Sequence, residues 1–255
     1  MDPELTIALI ALAGAIVSAA LSLYGQLRST TVAARNEANS VLAKFREPLS
    51  SAAYELQGRL YNIIELGFLP KYYVAGDEAQ RSYALENTLY VVAQYFGWSE
   101  ILHREIQFLS FGDSKRTRAV AQHQRRIVEL FQSHDPRLGR PFLTWRGEQR
   151  AIGERMIERE DGVSHCIGYA TFLERREPEF RRWFTRLEGE IRDLATTQPN
   201  PRLTELQHAL VALIREFDPH RLRYSDDMLL KVGHADRDPI GRVWESDARS
   251  RNRRR

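Results

Sequence analysis

The sequence predicts an all-α protein in which a single amino-terminal transmembrane helix is followed by a cytoplasmic multi-helix bundle. Two observations support this fold class. Apolar residues recur at spacings of three and four through most of the chain, which is the pattern of amphipathic helices, and an uncharged run near the amino terminus is long enough to cross a bilayer. Four regions follow: an anchor with short flanks (1–28), a helical neck (29–47), a helical bundle (48–218) and a polar, largely disordered basic tail (219–255).

The uncharged run extends from Leu5 to Leu27. As a helix it would be about 35 Å long, which is enough for the roughly 30 Å hydrocarbon layer of a membrane. A cleavable signal peptide carries basic residues ahead of its apolar part, whereas Asp2 and Glu4 occupy that position here. A retained anchor is therefore the favoured interpretation. Cleavage near the small residues at 18–20 and a buried, alanine-rich core helix are the alternatives.

The flanking charges predict the orientation of the anchor. Arg28, Arg35, Lys44 and Arg46 follow the run, and no basic residue precedes it. Because Lys and Arg beside a span are retained on the cytoplasmic side, we predict a single-pass cell-membrane protein with its amino terminus outside and its body in the cytoplasm. The only cysteine, Cys166, excludes an intrachain disulfide and fits a reducing compartment. The scarcity of lysine, four of 37 basic residues, points to a bacterial source.

Small residues form a stripe along the predicted anchor. They occur at helical spacings of three and four, and they are Ala8, Ala11, Ala15, Ser18, Ser22 and Gly25. A stripe of this kind lets membrane helices approach closely. It predicts a homo-oligomer formed through the anchor, although an alanine-rich run also produces such stripes by chance.

Beyond the anchor, apolar spacing and breaks at proline and glycine predict further helices. They cover about 49–67, 79–109, 114–133, 143–158, 164–175, 178–196 and 201–217. Pro48 either begins the first of these helices or kinks a longer one, and the segment LPKYYVAGDEAQ is expected to be a loop. The aromatic-rich helix 79–109 has a broad apolar face, which predicts a central, mostly buried position.

Two Glu-x-x-His motifs raise the possibility of a metal site. Glu100 with His103, and Glu205 with His208, repeat the spacing by which di-metal helical bundles place a carboxylate and an imidazole on one face. Helical geometry places His103 within the apolar arc of its helix and Glu100 at the edge, but it turns the second motif toward water. A metal-dependent enzyme would therefore rely on Glu100 and His103, with Glu65 or Glu129 as further ligands.

Other catalytic signatures are missing from the sequence. It contains no glycine-rich phosphate loop, no G-x-S-x-G and no H-E-x-x-H motif. His165 and Cys166 are adjacent, and neighbours on a helix point in different directions, so the two are not expected to form a nucleophilic pair. The sequence thus predicts no cofactor, and it favours a non-enzymatic role while leaving the question of an enzyme open.

The helix predicted over 114–133 carries a basic face. The residues proposed to bind an anionic surface are Lys115, Arg116, Arg118, Arg125 and Arg126. This face could be solvated, could bind anionic lipid, or could bind an acidic partner or nucleic acid. A net charge of only +3 argues against steering of nucleic acid by the whole molecule. The same choice applies to the terminal arginines 249, 251 and 253–255.

Charges of both signs surround Trp145. Arg146, Glu148 and Arg150 follow it closely, and alternating signs are typical of a solvent-facing helix with weak ion pairs. The concentration of a tryptophan and two arginines also makes this segment a candidate interaction site.

Taken together, the sequence predicts a membrane-anchored helical interaction, scaffold or sensor protein that acts through a protein partner. The alternatives are the metal-dependent enzyme and a module that binds anionic lipid or nucleic acid.

Overall fold

A computed structural model describes residues 44–107, 115–197 and 201–233, together with helical positions 18, 19, 21–24, 26, 28 and 40. The described chain is mostly helical, which confirms the all-α prediction in its main feature. The helices are α1 (residues 44–64), α2 (Glu78–Gln107), α3 (Lys115–Gln132), α4 (Arg146–Arg155), α5 (Tyr169–Arg175), α6 (Arg181–Leu194) and α7 (Pro201–Phe217). Short helical turns cover Leu69–Val74, Pro136–Leu138, Arg176–Phe180 and Asp226–Leu229.

The long helix α2 forms the centre of the bundle, as its broad apolar face predicts. It packs against α4, α5, α6 and the residues 163–166, while α3 packs against α7. Leu89, Val92 and Phe96 are at most 3% exposed, so α2 supplies apolar contacts on several sides. Burial of this kind is the main source of stability in a helical domain.

Pro48 lies inside helix α1. The described helical residues run without a break from 44 to 64, so of the two predicted roles for this proline, the start of a new helix is wrong. Leu49, Leu56 and Leu60 are fully buried on the inner face. The expected loop after α1 also contains a helical turn, Leu69–Val74, with Pro70 in its first turn, where a missing N–H group costs nothing.

A β-hairpin replaces the adjoining ends of two predicted helices. Strands β1 (Ile157–Glu160) and β2 (Val163–Cys166) pair antiparallel, with Ile157 opposite Cys166. Asp161 and Gly162 between them both have positive φ, 47° and 79°, which a two-residue hairpin turn of the Asp-Gly type requires. The prediction of helix over 157–158 and 164–166 is therefore wrong, and the Asp-Gly turn signal outweighs the helical spacing around it.

The segment after α7 is ordered where the sequence predicts the start of a tail. The Asp218 carboxylate accepts backbone N–H groups of Leu222, Arg223 and Tyr224, and Tyr224, Leu229 and Val232 are buried. Residues 219–233 thus belong to the folded body, because their few apolar side chains reach the core. The remainder of the predicted tail, 234–255, lies outside the described residues.

Among the residues that the structure describes, no helix combines the length and the apolar character needed to cross a membrane. Most of the predicted anchor lies outside the described residues, and so do Ala8, Ala11 and Ala15 of the small-residue stripe.

Candidate functional site

A groove of about 340 Å³ lies between α2, α3 and α4, and we call it the α3–α4 groove. It brings together residues that the sequence identified in three separate segments: Glu100 and His103 of the Glu-x-x-His motif, Arg125 of the basic face, and Arg146 and Arg150 beside Trp145. The other lining residues are Tyr95, Phe96, Ser99, Val120, Ala121, Gln124, Val128, Glu129, Gln132 and Gln149. The groove therefore has an apolar floor and a rim rich in arginine.

The Glu100 carboxylate is the electrostatic centre of the groove. Its side chain is only 4% exposed, and its Oε1 accepts Nε of Arg104 at 2.9 Å. Arg150 donates Nε to Oε2 and Nη2 to Oε1, both at 3.1 Å, which is the two-pronged geometry that makes arginine–carboxylate pairs strong. Arg104 also reaches Glu154 at 3.2 Å. This network ties α2 to α4.

Burial and the neighbouring arginines together set the protonation states of Glu100 and His103. Burial alone would raise the pKa of Glu100, but the hydrogen bonds from Arg150 and Arg104 outweigh it, so the pKa lies below its ordinary value. The pKa of His103 is also lowered, first by partial burial and then by Arg150, Arg146 and Arg104, against the opposing effect of Glu100. At neutral pH Glu100 is therefore ionised and the His103 imidazole is uncharged.

Glu100, His103 and Glu129 all line the α3–α4 groove, but they do not form a metal-binding cluster, and the other candidates lie elsewhere. Glu205 pairs with Arg126 at 3.3 Å, and Nε2 of His208 lies 3.1 Å from the Val232 carbonyl oxygen. Glu65 accepts the Gly233 N–H group at 2.7 Å, away from the groove. Within the described ranges, no cluster of three His, Cys, Asp or Glu side chains could hold a metal ion. Both carboxylate oxygens of Glu100 already accept hydrogen bonds from Arg104 and Arg150. This arrangement therefore does not fit a metal ion.

Close contact between α2 and α4 depends on Gly153. A Cβ atom on this residue would lie 2.7 Å from the backbone oxygen of Phe96 and 3.0 Å from Cβ of Glu100. Backbone atoms cannot move aside easily, so any larger residue separates the two helices. Gly153 thus allows Arg150, one turn earlier on α4, to reach Glu100.

Replacement of Gly153 by alanine should lower the free energy of unfolding by about 1–3 kcal/mol, because the packed interface must open. Gly147→Ala on the same helix is the matched control, since a Cβ atom there meets nothing within 4 Å. Denaturant unfolding of both variants measures the difference. Equal stabilities would contradict the proposed role of the contact.

Trp145 is held rigidly at the start of α4 although its side chain is 49% exposed. Its Nε1 donates to Nε2 of His134 at 3.1 Å, and the Arg186 guanidinium lies 4.9 Å from its ring centroid. Glu148 accepts both the Trp145 backbone N–H group, at 2.9 Å, and Nη2 of Arg186, at 2.7 Å. An exposed, preorganised tryptophan beside arginines is the composition of many interface hot spots.

The prediction of a solvent-facing helix is wrong for one side of α4. Gln149, Ile152 and Gly153 are buried, because the alternating charges occupy the outer face while this narrow inner face packs on α2. Arg150, which is 46% exposed, reaches from the outer side of α4 to the buried Glu100 carboxylate.

The basic face of α3 is divided between two neighbours. Arg125 lines the groove, whereas Arg126 pairs with Glu205 of α7. Arg118 is exposed, and the side chains of Lys115 and Arg116 lie outside the described part of the structure. The apolar side behaves as predicted, since Val120, Ile127 and Phe131 are at most 2% exposed.

Cys166 is a packing residue. It lies on β2, where adjacent side chains point to opposite faces, so His165 turns toward Glu158 instead, at 3.9 Å. Burial raises the pKa of the Cys166 thiol, and its Sγ lies 3.9 Å from the Gln94 carbonyl oxygen. A thiol in this environment is a poor nucleophile.

Comparison of the chain with protein-family models, with curated proteins and with solved structures finds no match. The geometry of its own residues is therefore the basis for assigning a function.

Proposed function

We propose that this chain is a membrane-anchored helical protein that acts by binding a protein partner, as a scaffold, adaptor or sensor. Residues 1–28 serve as the single span, with the amino terminus outside and the helical body in the cytoplasm of a bacterial cell. The observation that carries the anchor is the 23-residue uncharged run with basic residues on its carboxyl side only. The small-residue stripe supports association of two or more copies through the span.

The α3–α4 groove is the proposed partner site. Its apolar wall includes Phe96 and Val128, and the exposed side chains of Arg125 and Arg146 stand at its rim. Trp145 lies beside it in a fixed orientation. An apolar trough with a basic rim fits a protein segment that carries acidic side chains next to apolar ones.

The state of Glu100 favours binding over catalysis at this groove. Both carboxylate oxygens of Glu100 accept hydrogen bonds from arginine, so they are engaged in holding α2 to α4. Enzymes need groups whose protonation can change near the working pH, whereas the lowered pKa of Glu100 keeps it ionised there.

Removal of residues 1–28 should release the protein from the membrane fraction of cells, while the full chain should remain in that fraction after a high-salt or alkaline wash. The reason is that a span is held by apolar burial, which such washes do not weaken. A variant with the terminal arginines 253–255 changed to serine is the control, because loss of charge alone should leave an anchored protein in place. Extraction of the full chain by salt would overturn the anchor.

The partner site has a separate test in cells. A photo-crosslinking amino acid at Ala121 in the groove should give a discrete adduct that Arg146→Glu abolishes through charge reversal. Arg159→Glu on the hairpin is the control, since Arg159 is exposed and donates only to the Gly162 carbonyl oxygen. Absence of an adduct from Ala121 would contradict binding in the groove, and an adduct that persists with Arg146→Glu would contradict recognition of an acidic partner by the basic rim.

A further inference from the structure

A second cavity, of about 640 Å³, lies between α1, α2 and the turn at Asp226–Leu229, and it shares no lining residue with the α3–α4 groove. We call it the Arg59 cavity. The residues that carry the following argument are Tyr54, Glu55, Arg59, Tyr83, Asn87 and Asp227. Its volume lies within the range that small-molecule sites occupy.

Arg59 is a buried cation that lacks a counter-ion. The residue is 9% exposed, and its guanidinium stacks on the Phe68 ring, 4.0 Å from the centroid. Nη2 donates to the side-chain oxygen of Asn87, but Nη1 is buried and has no hydrogen-bond partner within the described part of the chain. The Tyr83 ring lies 5.8 Å away and supplies no formal charge.

This arrangement is costly unless an anion completes it. A buried charge is normally paired and fully hydrogen-bonded. In the described part of the chain Arg202 pairs with no carboxylate and its Nε lacks a partner, but its other nitrogens donate to four backbone carbonyl oxygens. Arg59 has only the Asn87 amide oxygen and the neighbouring Tyr83 hydroxyl. The guanidinium of Arg59 therefore has fewer acceptors than it can use. Because Nη1 itself is closed off from solvent, a ligand must meet the part of the side chain that lines the cavity, and a carboxylate matches a guanidinium best.

The remaining charges of the cavity limit the choice of anion. Glu55 and Asp227 also line it, and neither lies within ion-pairing distance of Arg59. Glu55 makes no ion pair or hydrogen bond with any residue of the described ranges. With two carboxylates nearby, a multiply charged anion such as phosphate would be repelled. A ligand that carries one carboxylate and one ammonium group would satisfy all three charged residues.

We propose that the Arg59 cavity binds a small zwitterion of the α-amino acid class. The ligand carboxylate pairs with Arg59, its ammonium group lies toward Glu55 and Asp227, and its side chain contacts Tyr54 and Tyr83. This site is distinct from the α3–α4 groove, and it stands whether or not the chain is anchored in a membrane.

Binding can be tested with the purified full chain in detergent. Each of the common L-amino acids is added singly at millimolar concentration, and thermal unfolding followed by calorimetry identifies the tightest ligand. The amine that lacks its carboxylate and the acid that lacks its amino group should each bind at least about tenfold more weakly, since each leaves one charged contact unmade. Inorganic phosphate should bind more weakly than the amino acid.

Variants locate the two ends of the ligand. Arg59→Gln should weaken binding of the amino acid about tenfold or more and leave binding of the matched amine unchanged. Glu55→Gln should weaken binding of the matched amine and leave binding of the matched acid unchanged. The Glu55 side chain is exposed, so this variant keeps the fold. Arg81→Gln is the control, because Arg81 donates to Tyr73 and Gly76 outside the cavity.

Three results would overturn the proposal: no amino acid binds, phosphate binds most tightly, or Arg59→Gln and Glu55→Gln both leave the affinities unchanged. Circular dichroism of each variant confirms that the comparison is made between folded proteins.

Discussion

Replacement of Arg202 by methionine should lower the free energy of unfolding by about 3–5 kcal/mol. Arg202 is 1% exposed, and its guanidinium donates to the carbonyl oxygens of Leu130, Phe131, Ser133 and Gly139. Methionine fills similar space but removes the donor from the carbonyl oxygens of Leu130, Ser133 and Gly139. The Phe131 oxygen keeps the Thr144 N–H group. It also removes a positive charge from the carboxyl end of α3, where the helix dipole favours a cation.

Arg215→Met provides the matched control on the same helix. Arg215 is 46% exposed and lies 3.8 Å from Asp226, so its loss should cost less than about 1 kcal/mol. Denaturant unfolding of the two variants under one set of conditions measures the contrast. A similar small loss for both would mean that the four carbonyl contacts contribute little.

Replacement of Glu100 by glutamine should destabilise the protein by about 2 kcal/mol at neutral pH, because a neutral amide replaces a buried carboxylate that accepts three charge-assisted hydrogen bonds. Arg104 and Arg150 are each 46% exposed, so water solvates them in the variant. The effect should depend on pH. The pKa of Glu100 is lowered in the folded protein, so the unfolded chain binds the proton more readily. The stabilisation is then complete above the unfolded value, about 4.3 for a glutamate, and is lost as the pH falls through the folded value.

A pH series of unfolding measurements therefore tests Glu100 directly. The gap between the wild-type protein and Glu100→Gln should be widest near neutral pH and should narrow on acidification. Glu154→Gln is the control, since Glu154 is 51% exposed and shares only Arg104; a small, nearly constant difference is expected. A gap for Glu100→Gln that does not change with pH would assign its effect to packing rather than charge.

The arginines of this protein fall into two groups with different roles. Arg202 and the Glu100 network use their charges inside the fold, where they hold α3, α4 and α7 in place. Arg125 and Arg146 are exposed and have donors left for other molecules. Arg59 lines a cavity and has fewer acceptors than its guanidinium can use. The proposed protein partner and the proposed amino-acid ligand both follow from this second group.

Much of the helical layout is predictable from local sequence. The limits of α7 agree with the prediction at both ends, because Pro201 suits a first helical position and the leucines after it keep a helical spacing. Local signals also locate α2 and α3 within two residues. Asp161-Gly162 is a hairpin-turn signal, but the apolar spacing on both sides of it is helical, and the sequence therefore predicted helices there.

The sites are less predictable than the helices. Glu100 and Arg150 are 50 residues apart in the chain, and nothing in either segment indicates that they meet. Arg59 lies among the leucines of α1, and no sequence motif marks it as a binding residue. Its burial in a cavity depends on Phe68, Asn87 and the turn at 226–229, which come from other parts of the chain. The segment 219–233 looks like a tail because its apolar residues are few and have no regular spacing.

The sequence by itself determined the helical class of this protein, most helix limits, the lone cysteine, and the uncharged run on which the anchor proposal rests. Each of these depends on neighbouring residues, whose spacing and capping preferences act over a few positions. The packing of distant helices, by contrast, sets which charges are paired, which arginines are buried without a counter-ion, and where cavities remain. Those properties arise when distant helix faces meet, and the energy of a buried charge depends on every group that surrounds it.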